Sequence, residues 1–211
     1  MSRRISFRHQ SAREGIEKRQ NAIVLRKEVF RKSIHLCSAF VPLLLHYAKI
    51  PVLFALGLAL VLYSLSELLR LKGVTIPLIS AITAAAARKR DENKFVLGPV
   101  TLVLGILGAA LLWKELPCSV GIYALSFGDG LASLAGRLFG RVTIPLTKGK
   151  TVAGSLTCFA AIFISCFLAT KNSTVALIVA SLGMFIEMLP LKDFDNILIP
   201  VILGGVAQLL L

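Results

Sequence analysis

Long apolar runs separated by short charged segments dominate this chain. Seven can be marked: Ser33 to Ala48, Pro51 to Leu69, Phe95 to Trp113, Leu116 to Gly136, Val152 to Thr170, Ser173 to Leu191 and Ile197 to Leu211. Most approach the ~20 residues that a helix rising about 1.5 Å per residue needs to cross a hydrocarbon core of ~30 Å. An eighth run, Val74 to Ala87, has 14 residues and contains Pro77, which suits an interfacial or re-entrant helix better than a crossing. The pattern predicts an all-α, polytopic membrane helix bundle of about seven transmembrane helices. A basic arm, residues 1–32, precedes an integral membrane domain, residues 33–211. Within the arm Ile16, Ile23 and Phe30 recur seven apart among basic residues. That spacing fits an amphipathic helix on an anionic leaflet, and a solvated basic tail is the alternative.

Composition agrees with the pattern. Of 211 residues 56% are hydrophobic and 17% charged, and the mean hydropathy is +0.79. A soluble domain carries nearer ~25% charged residues, so a water-soluble globule is excluded. The formal charge of +13 would suit nucleic acid, an anionic leaflet or a polyphosphate substrate. Its distribution decides. With the N-terminus in the cytosol, 21 of the 24 Lys and Arg fall on the inner side, and only Lys49, Lys114 and Lys171 lie outside. Such a division follows the positive-inside rule and calls for no nucleic acid. The ten basic residues among the first 32 are too many for the start of a cleaved signal peptide. Cys37, Cys118, Cys158 and Cys166 form no Cys-x-x-Cys pair and read as small buried hydrophobes.

Placed by height in this topology, the ionisable residues converge. Glu28, Arg31, Lys32 and His35 stand at the cytosolic mouth of the first span, and Glu67 and Arg70 end the second. Asp129 lies ~20 Å along the fourth span, in its cytosolic half. Thr151 and Ser155 open the fifth span, Glu187 closes the sixth, and Asp193, Asp195 and Asn196 fill the turn into the seventh. Asp91 and Glu92 read as solvated. A carboxylate at membrane depth costs several kcal/mol unless paired, so Asp129 is a functional candidate, or else half of a buried ion pair with Arg137 or Lys148. Gly136 and Gly140 fit close helix packing. The segment Arg137 to Lys150 has no acid, an arrangement that repels itself unless an anion sits in it. Gly149-Lys150-Thr151 is not a P-loop, because Ile144 stands where that motif needs glycine. Lys148 and Lys150 can act as point charges on phosphates beside the helix start at Thr151, or be solvated. His35 suits a phosphate donor or a helix cap. His46 and Trp113 fall at the opposite membrane face, where interfacial residues collect. Together these groups suit a metal nucleotide, with carboxylates for Mg²⁺, cations for phosphate, and a lipid entering between helices.

Four blocks carry a resemblance. Glu28-x-x-Arg31-Lys32-x-x-His35, Gly128-Asp129-Gly130-x-Ala132-x-x-x-Gly136-Arg137-x-x-Gly140, Lys150-Thr151-x-x-Gly154-Ser155, and Glu187 with Asp195-Asn196 together resemble the polyprenol kinase family, which includes dolichol, phytol and CTP-dependent diacylglycerol kinases. The resemblance implies transfer of the γ-phosphate of a nucleotide, usually CTP, to the hydroxyl of a membrane lipid at the cytosolic face of a bacterial or endoplasmic-reticulum membrane. The related CTP:phosphatidate cytidylyltransferases share three blocks. They usually carry Glu where this chain has Ala153, and Asp-Arg where it has Asp195-Asn196. A transporter or scaffold is the non-enzymatic alternative. By block match and chemistry, Asp129, Lys150, Glu187 and Asp195 are the catalytic candidates, and Asp129, Asp193 and Asp195 those for Mg²⁺. Arg31, Lys32, His35, Arg137, Lys148, Thr151, Gly154, Ser155 and Asn196 would bind nucleotide or lipid. Gly128, Gly130 and Gly136 would allow close approach of backbone or helices.

Overall fold

The structure, a computed structural model, describes residues 2–87, 91, 94–147 and 149–211, and side chains from Arg19 onward apart from those of 21, 78 and 86. Lys148, Glu92 and the side chain of Ile16 therefore lie outside the described residues. Within them the chain is all-helical: α1 (Ser2–Cys37), a 3-10 turn (Ser38–Phe40), α2 (Val41–Leu71), α3 (Pro77–Ala86), α4 (Gly98–Leu112), α5 (Glu115–Tyr123), a π turn (Ala124–Asp129), α6 (Gly130–Phe139), α7 (Val152–Thr170), α8 (Ser173–Met188) and α9 (Asp195–Leu210). The expected domain boundary after Lys32 falls inside α1, which continues unbroken into the bundle.

Local chemistry explains the ends. Pro77 and Pro99 occupy the first turns of α3 and α4, where a missing N–H costs no helical bond. Lys171, in the left-handed region at φ 54°, ends α7, and Asn172 Oδ1 then accepts from the Thr174 and Val175 amides to start α8. The ten residues of α3 span only ~15 Å, too short for a crossing. Inside α2, Ala48 leaves the helical region at φ −148°, ψ 61°, three residues before Pro51. The chain reverses there. His35 lies beside Asp129, His46 pairs with Glu115 at the start of α5, and Glu67 returns to accept from the Val96 amide before α4.

The core is made by α5, the π turn, α7, α8 and α9, with Ile122, Leu125, Ile162, Val179, Ile199 and Leu203 fully buried. Glycines set how closely these helices approach. A Cβ at Gly105 of α4 would stand 2.0 Å from Asn196 O of α9, and one at Gly121 of α5 would stand 2.3 Å from Pro200 O. Trp113 was expected in an interfacial belt. It is half-buried, donates from Nε1 to Val201 O at 2.9 Å, and lies against Gly204 and Gly205. Large apolar side chains cover the outside as well, as at Leu58, Val61, Leu62 and Leu65 on one face of α2. Among the described residues three helical stretches, Ala22–Leu71 (which includes the reversal), Glu115–Phe139 and Val152–Thr170, are long and apolar enough to cross a membrane. Gly98–Leu112, Ser173–Met188 and Asp195–Leu210 are apolar but shorter.

Candidate active site

The last turns of α1 present Glu28, Lys32 and His35 along one buried face, four and three residues apart. Lys32 Nζ donates to Asp129 Oδ2 at 2.5 Å, and His35 Nδ1 lies 3.2 Å from the same oxygen. Glu28 receives Arg31 at 2.5 Å, with Arg137 Nη2 at 3.7 Å from its other oxygen. Asp129 thus pairs with Lys32 and His35 rather than with Arg137. Lys32 and Asp129 are 3% and 4% exposed, so neither charge is supported by water.

Two features bring α1 onto Asp129. The first is the π turn Ala124–Asp129, whose wider winding ends at the carboxylate; such turns occur often at functional sites. The second is a hydroxyl clasp. Ser126 Oγ donates to Ile122 O at 2.8 Å and lies 2.6 Å from Ser38 Oγ, which bonds His35 O at 2.5 Å. The clasp is buried, and it holds the end of α1 against the π turn.

The opposite wall comes from the loop before α7. Thr143 and Thr151 form an antiparallel bridge, Ile144 N donates to Lys150 O at 2.8 Å, and Gly149 turns the chain at φ 95°. Lys150 Nζ donates to Glu187 Oε1. Burial pulls the Lys150 ammonium down, but the Glu187 charge and hydrogen bond outweigh it and hold Lys150 above the ordinary lysine value. Thr151 caps α7 by accepting from the Gly154 amide at 3.2 Å. Side chains at Gly136 or Gly140 would meet Thr151 Oγ1 at 2.9 or 2.5 Å, so these glycines let the end of α6 lie on the start of α7.

The third wall is the α8–α9 turn. Glu187 is 2% exposed, and its Oε2 has no hydrogen-bond partner among the described residues. Asn196 Nδ2 donates to Thr101 Oγ1 at 3.0 Å and Gly98 O at 3.4 Å, tying α9 to α4. The Asn196 side chain thereby holds helices together at the cavity edge.

These walls enclose a cavity of about 510 Å³. Arg31, Lys32, His35, Asp129, Gly136, Arg137, Lys150, Thr151, Gly154, Glu187, Asp193, Asp195 and Asn196 all line it. Three sequence candidates do not. Gly128 faces Ile162 of α7, Gly130 faces Leu36 of α1, and Ser155 is buried in α7. Asp91, which reads as solvated from the sequence, lines the cavity with Glu28, Ser133, Thr147 and Lys192. Its position next to a basic run hid it. Glu67 does not face the cavity: its carboxylate receives Arg70 at 2.6 Å and the Val96 amide at 3.0 Å, stapling α2 to α4. Among the described residues no three His, Cys, Asp or Glu side chains form a cluster able to hold a metal. Asp129, Asp193 and Asp195 share the cavity without making an all-protein cage. Among the described residues five Lys or Arg and six Asp or Glu side chains line it, so that the charges of these residues nearly balance.

The amino-acid sequence is similar to those of several known proteins. Over 150 residues, 62% of this chain and 49% of the relative, it is 29% identical to phytol kinase 1, chloroplastic, of Arabidopsis thaliana. It is 36% identical over 72 residues to the farnesol kinase, chloroplastic, of the same plant, covering 33% of this chain and 24% of that one. It is 24% identical over 147 residues to the CTP-dependent diacylglycerol kinase 1 of Saccharomyces cerevisiae, covering 68% and 51%. These homologues are members of the polyprenol and lipid kinase family that the four blocks resemble. The chain spans about half the length, or less, of these curated relatives. No family model matches it, and no solved structure does.

Proposed function

We propose that this chain is an integral membrane lipid-alcohol kinase that transfers the γ-phosphate of CTP to the hydroxyl of an isoprenoid alcohol or diacylglycerol. The observation that carries the reading is the cavity itself: a buried Lys32–Asp129 pair, flanked by Arg31, Arg137 and Lys150, set among helices with apolar outer faces. A substrate that is both polyanionic and lipidic needs both surroundings in one place. Seven spans with a cytosolic N-terminus would put the cavity on the inner face, where nucleotide is available.

In this mechanism Arg31, Arg137 and Lys150 bind the triphosphate, exchanging carboxylate partners for phosphate oxygens as the nucleotide enters. Lys32 and His35 hold Asp129 in place. The buried, unpartnered Glu187 Oε2 accepts the proton as the lipid O–H bond breaks. A bond forms from the lipid hydroxyl oxygen to the γ-phosphorus, the bond to the β–γ bridging oxygen breaks, and the nucleoside diphosphate leaves. The donor set fits a magnesium ion carried in on the nucleotide, because Mg²⁺ needs only one or two carboxylates beside phosphate and water. Asp129 and Asp195, with Asp193 beside them, would supply those carboxylates, and the ion would neutralise developing phosphate charge.

Product analysis with CTP labelled separately at the α- and γ-phosphates tests the proposal. The kinase reading expects γ-label in a lipid monophosphate and release of CDP. Release of pyrophosphate with α-label in a CDP-lipid would instead make the chain a cytidylyltransferase, and a transporter would yield neither product.

A further inference from the structure

Two features set Lys192 apart from the other cations of the charged cavity. The first is pairing. Arg31 and Arg137 approach Glu28 at 2.5 and 3.7 Å, Lys32 donates to Asp129 at 2.5 Å, and Lys150 donates to Glu187. Lys192 lines the same cavity, yet its ammonium makes no hydrogen bond or ion pair with any described residue. A phosphate reaching Lys192 therefore displaces none of these carboxylates, whereas at Arg31, Lys32 or Lys150 it must exchange with one. Lys192 is also exposed while lining the cavity, which places it at the mouth.

The second feature is its backbone. Lys192 stands at φ 60°, in the left-handed region that favours glycine. Phe194 N donates to Leu191 O at 3.1 Å, closing a turn in which Lys192 is the first central residue. Of the two central residues only Lys192 has a positive φ, a place in such turns that glycine dominates. No helix cap calls for it, because α8 ends at Met188 and Leu189 after it is extended. Lys171, left-handed at φ 54°, differs in this respect: it ends α7, and its amide donates to Phe167 O as a cap. Bonds on both sides hold the Lys192 turn. Leu191 N donates to Leu189 O at 2.8 Å, and Asn196 is tied to Thr101 of α4 at 3.0 Å. A lysine kept in a strained conformation at the mouth of a charged cavity directs attention to its side chain.

Resting on the kinase reading above, we propose that Lys192 is a nucleotide-binding residue, the cation at the cavity mouth that takes the polyphosphate of the nucleotide without giving up a carboxylate partner among the described residues. An exposed point charge attracts a polyanion through solvent and holds it equally before and during phosphate transfer. Its contribution therefore falls on nucleotide affinity and on the salt dependence of that affinity, and leaves turnover alone.

The test measures CTP binding to the full chain in detergent by equilibrium dialysis, with magnesium and no acceptor, and then initial rates in vesicles containing a long-chain alcohol. Lys192→Asn removes the charge and tolerates a left-handed backbone, Lys192→Gly removes the charge and relieves the strain, and Lys192→Arg keeps the charge. The Asn and Gly variants should bind CTP about fivefold more weakly or worse and raise its KM to match, with kcat at saturation unchanged. Lys192→Arg should stay within about twofold of the parent, since the residue acts as a point charge. Lys171→Gly takes a lysine from the same kind of backbone away from the cavity and should leave CTP affinity unchanged. Both glycine variants should melt at or above the parent temperature. Parental CTP affinity in Lys192→Asn and Lys192→Gly would make Lys192 a solvated surface charge, and a loss confined to Lys192→Gly would trace it to turn rigidity; either result overturns the proposal. CTP binding that depends on the Lys192 charge, without transfer of phosphate to lipid, would uphold the proposal for Lys192 and overturn the kinase reading.

Discussion

At the residue scale the deciding contact is Lys32 with Asp129. Both are buried, and they come from positions 97 apart in sequence. Removing one charge strands the other in a low dielectric, so Lys32→Met should destabilise the protein by about 3–5 kcal/mol. Combining it with Asp129→Leu should restore much of the thermal stability in detergent while leaving no activity. Recovery of turnover in the double variant would make the pair a packing device. Arg31 and Lys150 allow a sharper comparison with Arg26 and Lys27, which are exposed on α1. Arg31→Ala or Lys150→Ala should weaken nucleotide use by about 1.5–3 kcal/mol, the range for hydrogen bonds to charged groups. Arg26→Ala and Lys27→Ala should change it little, and equal losses across all four would indicate a general surface-potential effect. Glu187 raises the Lys150 pKa, so this pair keeps its full contribution below the ordinary lysine value and loses it only as pH climbs through the raised one. KM for nucleotide should therefore be flat on account of Lys150 from about pH 7 to 9.

At the element scale, how legible each feature was in the sequence depended on how local its cause was. The reversal near Lys49, the short α3 and the helix starts at Pro99 and Thr151 are all written in neighbouring residues. The π turn is not: Ala124–Asp129 contains no proline and no distinctive spacing, and its winding depends on packing against α1 and α7. The partner of Asp129 was equally hidden, because Lys32 lies 97 residues away in sequence and meets it only through the packing of the end of α1 on the π turn, where the Ser38–Ser126 contact also lies. Gly128 and Gly130 stand beside the central carboxylate in sequence, yet their work is contact with Ile162 and Leu36. The α4–α9 seam allows a prediction at this scale. A Cβ at Gly105 would meet Asn196 O at 2.0 Å, whereas Gly57 has nothing within 4 Å. Gly105→Ala should cost about 1–3 kcal/mol and displace the Asp195–Asn196 corner, lowering both melting temperature and turnover. Gly57→Ala should hold or raise the melting temperature, because alanine favours helix by about 1 kcal/mol. A Gly105→Ala protein as stable and active as the parent would show that the seam is looser than described.

At the scale of the whole molecule, the apolar outer faces, the 21-to-3 charge division and the reversal at Ala48 all bear on orientation. In a cysteine-free background, single thiols at Lys114 or Lys171 should react with an impermeant reagent added outside cells. Thiols at Arg141 or Asp193 should react only after the membrane is opened, and outside labelling of Arg141 would contradict both the topology and the placing of the cavity. The balance of charge lining that cavity also has a consequence. Arg31, Lys32 and Lys150 each pair with a carboxylate, so a phosphate binding there would have to exchange with those partners. The central claim is that phosphate passes from nucleotide to lipid at Asp129. It is tested most directly by giving γ-labelled CTP, magnesium and a long-chain alcohol to the reconstituted full chain and to Asp129→Asn, after showing by thermal unfolding that both are folded. The account predicts label in the lipid for the parent and a loss of about 10²-fold or more in the variant. Undiminished transfer by folded Asp129→Asn would contradict it.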